Sequence, residues 1–103
     1  MKNLKELPKE YQEDIKKAIK ILKENGATEV FIFGLVVNGN FNENSDIDIA
    51  TKGIKQEDFY RVASILMFEL ENEIDLVDLD DKTNRFSEML LKNNNLVRID
   101  NLL

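Results

Sequence analysis

Residues 44–50 read Asn-Ser-Asp-Ile-Asp-Ile-Ala, "NSDIDIA", and this stretch decides how the rest of the chain is read. Side chains alternate across a β-strand, so Asp46 and Asp48 share one face while Ile47 and Ile49 share the other. The isoleucines tie the strand to a core and hold both acids at a fixed height. By Cα rise the aspartates stand about 6.6 Å apart. Their carboxylates can converge on one ion at about 2.1 Å per Mg–O bond. Two carboxylates this close repel, unless a divalent cation lies between them or one takes up a proton. Alternation alone would also produce a half-exposed strand with its polar face in water, and an isolated D-x-D favours that reading.

Two further features weigh against it. Asp75 interrupts the apolar run "EIDLV", and a neighbouring strand can bring it beside Asp46 and Asp48. Gly34 closes the apolar run "FIFG". A strand that ends in glycine before a helical turn presents backbone N–H groups to phosphate oxygens, and glycine lets the backbone approach closely. Taken by itself, Gly34 reads as a turn glycine.

Working outward, Tyr11, Ile15, Ala18, Ile19 and Leu22 recur at three- and four-residue spacing, which predicts a helix over 8–25 capped by Gly26. Residues 30–33 form a buried strand, 35–38 a short helical turn and 46–51 the acidic strand. Phe59, Val62, Ala63, Leu66 and Leu70 share a face of a second helix over 56–71. "EIDLVDL", 73–79, is a third strand. A last helix over 84–92 carries Phe86, Met89 and Leu90, and "LVRID" reads as a short closing strand. This order predicts a single α+β domain over 1–103, a small mixed β-sheet backed by helices.

Composition limits the chemistry. The 103 residues contain neither cysteine nor histidine, so thiolate sites, disulfides and imidazole bases are excluded. Net charge is −6, which disfavours direct electrostatic binding of nucleic acid. No apolar stretch reaches the roughly 18 residues that a membrane span needs, and "MKNLKELPKEYQEDIKK" is too polar for a signal peptide. The expected location is the cytoplasm.

Together these residues resemble the minimal nucleotidyltransferases of the DNA polymerase β-like superfamily. That signature is Gly-Ser, ten residues, Asp-x-Asp, then a third Asp on a later strand. Here Gly34-Leu35, ten residues, Asp46-Ile47-Asp48 and then Asp75 keep the order and spacing. The resemblance implies the nucleotidyltransferase fold. It implies that Asp46, Asp48 and Asp75 hold Mg²⁺ in a two-metal site on ATP, with Gly34, the Leu35 backbone and Ser45 at the phosphates. It also implies transfer of AMP to a hydroxyl, with relatives of this size pairing with HEPN-domain toxins and modifying a toxin tyrosine.

Leu35 departs from the family serine. One hydrogen bond to a charged group contributes about 1.5–3 kcal/mol, so its loss weakens catalysis without abolishing it. Arginines common in relatives after the Gly-Ser are also missing, with Lys52 and Lys92 as stand-ins or ordinary surface lysines. Three functions follow in order. They are a nucleotidyltransferase antitoxin, a catalytically degenerate antitoxin or binding module that neutralises its partner by contact, and a transferase for a small hydroxylated compound. A homo-oligomer stays open.

Overall fold

The structure is a computed structural model that describes residues 9–34, 47–93 and 96–101. Helix α1, Lys9–Glu24, is followed by strand β1, Glu29–Phe33, and strand β2, Ile47–Lys52. Helix α2, Gln56–Glu69, then precedes strand β3, Ile74–Asp78. Helix α3, Arg85–Asn93, and the two-residue strand β4, Val97–Arg98, complete the order. The strands form one mixed sheet in the order β3-β2-β1-β4. β1 pairs antiparallel with β2 and β4, whereas β2 and β3 run parallel. A parallel pair needs a crossover, and α2 supplies it.

One sheet face packs under α1 and α2. The predicted α1 stripe of Tyr11, Ile15, Ala18, Ile19 and Leu22 is buried against Val30, Ile32, Ile47 and Ile49, with Val62 and Leu66 from α2. Each such aliphatic side chain contributes about 1.5–3 kcal/mol on burial. The isoleucines of the acidic strand therefore anchor it to the main core. The opposite face carries a smaller cluster of Phe33, Ala50, Leu79 and Leu90.

Helix α3 differs from expectation. Leu90 is buried, but Phe86 and Met89 are exposed, and Ser87 takes the inward position. The Ser87 hydroxyl donates to the Asp78 carbonyl at 2.9 Å.

Helix α2 stops at Glu69, not at 71, and Leu70 is already extended. The cause sits on α1. The buried Asp14 carboxylate accepts the Glu71 and Asn72 backbone N–H groups at 3.0 and 2.8 Å, and also the Asn72 side-chain amide at 2.8 Å. Those N–H groups would otherwise continue the helical ladder.

The closing strand is tied down by Asp100, whose side chain accepts from Val30 N at 3.1 Å, Arg98 Nε at 2.9 Å and Lys23 Nζ at 2.8 Å. Burial alone would push this carboxyl up. The bonds from Arg98, Lys23 and Val30 N–H outweigh it and hold the group well below the usual carboxylate range.

Candidate active site

Strand pairing brings two of the three expected acids together. Asp48 of β2 and Asp75 of β3 are direct register partners. Neighbouring strands lie about 4.8 Å apart, and side chains of paired residues project from the same face. Both acids therefore stand side by side on the face opposite α1 and α2, which also carries Phe33, Ala50 and Val77. Asp48 is half-buried and Asp75 exposed. Phe33 is the β1 partner of Asp48, so Phe33, Asp48 and Asp75 form one row across three strands.

Gly34 terminates β1 immediately beyond that row, with φ +77°. A Cβ built at Gly34 would overlap Asp48 Oδ2. Both observations require glycine: the left-handed backbone disfavours any β-carbon, and the Asp48 carboxylate occupies the space where one would stand. Asp46, Leu35, Ser45 and the 35–38 turn lie outside the described residues. Among the described residues no cluster of three carboxylate, imidazole or thiolate groups is gathered for a metal ion. The two adjoining aspartates offer hard oxygen donors in a chain without cysteine thiolates or imidazoles, which is the donor chemistry that Mg²⁺ takes.

Asp78 belongs elsewhere. It lies on the opposite parity of β3 from Asp75 and pairs with Thr51. Burial raises its carboxyl above the ordinary value, although the Asp80 N–H bonded to it pulls the other way. The lysines weighed as cationic stand-ins are each paired with a glutamate. Lys52 sits at the far end of β2 beside Glu29 at 3.7 Å, and Lys92 pairs with Glu88 at 3.1 Å.

Two features around the site escaped the sequence reading. One is the Asp14 clamp, which fixes the loop two residues before β3 and so fixes where Asp75 begins its strand. Its signal was present: Asp14 falls on the apolar stripe, three residues after Tyr11 and four before Ala18. The other is Phe86, which meets Phe33 edge-to-face with ring centroids 5.8 Å apart. This contact closes the site's flank, and local sequence carries no sign of it.

The comparisons with known proteins bear on this geometry. Residues 16–101 match the family described as polymerase beta, nucleotidyltransferase. The chain belongs to the polymerase β nucleotidyltransferase family. No curated protein matches the chain. Among solved structures, this chain is similar to a chain of a toxin–antitoxin complex with AMP-PNP. The identity is 26%, over 81% of this chain and 69% of that one, with a TM-score of 0.64. It is similar to a chain of the toxin–antitoxin MntA–HepT at 25% identity, over 84% and 69%, with a TM-score of 0.60. A complex of a tri-AMPylated Shewanella oneidensis HEPN toxin with an MNT antitoxin shares the fold at 24% identity, over 84% and 69%, with a TM-score of 0.59. The nucleotidyltransferase fold expected from the sequence, α+β with a small mixed sheet, is the one found. Among the described residues no helix is long and apolar enough to cross a membrane.

Proposed function

We propose that this chain is a Mg²⁺-dependent nucleotidyltransferase that moves AMP from ATP to a hydroxyl of a HEPN-domain partner, and thereby acts as an antitoxin. The observation that carries the proposal is the Asp48–Asp75 register pair beside the glycine that ends β1. The solved relatives support the choice of nucleotide and partner, since one contains AMP-PNP and another pairs an MNT antitoxin with an AMPylated HEPN toxin.

Asp48 and Asp75, joined by Asp46, would hold the metal. Bound there, Mg²⁺ offsets the triphosphate charge and stabilises the oxygens that carry charge in the transition state. Gly34 leaves the backbone open for the phosphates to approach, and Asp48 fills the space a side chain would take. Asp75, the more exposed acid, stands where an acceptor arrives and takes the hydroxyl proton. The acceptor oxygen forms a bond to the α-phosphorus as the bond to the β-phosphate oxygen breaks, and pyrophosphate leaves. Phe33 and Phe86 exclude water from one flank of the acids.

Leu35 favours a second reading, in which the fold is kept and the partner is neutralised by contact. Incubation with labelled ATP, Mg²⁺ and the HEPN-domain partner separates the two. Transfer predicts label on the partner that disappears in Asp48→Asn and Asp75→Asn. Absence of label, with the partner neutralised equally well by Asp48→Asn, rejects transfer and supports contact.

A further inference from the structure

Helix α2 presents a second, unused face. Tyr60, Met67 and Phe68 are 81%, 75% and 91% exposed. With Ser64 they fall at i, i+4, i+7 and i+8, one stripe down the outer side of the helix. Three large apolar side chains this exposed on one stripe mark an interaction surface, whereas scattered single ones do not. The stripe is not isolated. Met67 lines an open cavity of about 500 Å³ together with Leu70, Glu71, Asn72, Glu73 and Asp75. At the other end Tyr60 lines a second cavity with Leu76, Val77 and Asp78 of β3. β3 is an outer strand of the sheet, so the stripe runs beside an open edge and ends at an acid of the candidate active site.

Charge decides what can cover it. Among the described residues the Met67 cavity is lined by three carboxylates, Glu71, Glu73 and Asp75, and by no cation. A second copy of this chain, at net charge −6, would bring acid against acid. A protein with an apolar centre and a lysine or arginine beside it satisfies both halves of the surface.

We propose that the α2 stripe and the adjoining acidic cavity dock a basic-rimmed protein partner and bring its acceptor hydroxyl to Asp75. This rests on the reading that a partner protein is the acceptor, and it adds the surface that grips it. Phe68 is the anchor, Met67 joins anchor to cavity, and Glu71 and Glu73 receive the partner's cations. The rim charges make binding salt-dependent, and the apolar anchor does not.

The test is a calorimetric titration of the full chain with its HEPN-domain partner at low and physiological salt, run beside the labelled-ATP assay. Phe68→Ser and Met67→Ser are each expected to weaken binding by about 30-fold, the loss typical of an anchoring residue. Glu71→Gln with Glu73→Gln is expected to flatten the salt dependence. Phe68 is exposed, so its variant should melt with the wild type. Asp48→Asn is expected to bind the partner normally and transfer nothing. Unchanged partner affinity in Phe68→Ser overturns the docking surface and leaves transfer standing. Normal Phe68-dependent binding without label in the wild type overturns transfer and leaves the surface standing. Sedimentation showing a dimer of this chain that Phe68→Ser dissociates assigns the stripe to self-association and overturns the proposal, as does the absence of partner binding at 100-fold molar excess.

Discussion

Replacing Asp14 by alanine removes the acceptor of three hydrogen bonds at one stroke. A bond to a charged group contributes about 1.5–3 kcal/mol net. The three share a single carboxylate, and Glu71 is exposed, so its freed N–H can turn to water. The loss therefore falls well short of three independent bonds, at about 3 kcal/mol. A domain of this size is stable by roughly 5–15 kcal/mol, and each kcal/mol moves its midpoint by about 4–8 °C. Asp14→Ala is expected to melt about 12–24 °C below wild type by circular dichroism. Asp14→Asn keeps one carbonyl oxygen as acceptor and should fall between the two. Asn72→Ala loses the side-chain bond alone, while its backbone N–H stays on the same oxygen, so the low end, about 1.5 kcal/mol, is expected. An Asp14→Ala protein that melts within about 2 °C of wild type would refute the clamp, because the loop would then hold its shape without it.

Other expectations concern the site, the C-terminal tie and the core. Gly34→Ala puts a β-carbon at φ +77° against Asp48; about 1–2 kcal/mol of strain and a displaced carboxylate should lower the melting point and weaken Mg-ATP binding by calorimetry. Asp75→Asn removes one of two facing like charges, so the metal-free protein should melt slightly higher while stabilisation by added Mg²⁺ is lost; a Mg²⁺ shift equal to wild type would contradict the paired site. Asp100 has a depressed carboxyl, and an unfolded aspartate titrates near 3.9, so the unfolded chain takes up the proton first. Its contribution is complete at neutral pH and fades as pH falls below about 4, so the melting gap between wild type and Asp100→Asn should narrow on acidification. Ile49→Ala empties a fully buried site between the helices and β2 and should cost about 2–5 kcal/mol in urea unfolding.

Strand parity made much of this architecture legible. Ile47 and Ile49 alternate with Asp48, and Ile74 and Leu76 with Asp75, so the chain itself states which face each acid takes. The α1 stripe was equally plain, because five apolar positions at helical spacing admit one buried side. What stayed hidden depends on contacts between distant segments. The Asp14 clamp joins residues 57 and 58 positions apart, and it ended α2 earlier than side-chain periodicity implied. Helix α3 misled for a related reason: Phe86 and Met89 look like core by type, yet Ser87 and Leu90 are the side chains buried there, and Phe86 keeps an edge contact with Phe33 while about two-fifths exposed. The placing of Lys52 turned on an ion pair with Glu29, 23 positions away, whereas the Lys92–Glu88 pair is a local i,i+4 contact on α3.

The separation of Asp48 from Asp75 is set by hydrogen bonds between adjacent strands and owes nothing to the length of the intervening chain. Lengthening or shortening the α2 crossover should leave the two acids aligned as long as the ladder is preserved. A slip of one residue in that ladder would instead rotate Asp75 under the helices and carry a leucine to the surface. Evolution is therefore free to remodel the excursion between these strands, and the outer helix can diverge to suit new companions while the chemical centre keeps its dimensions.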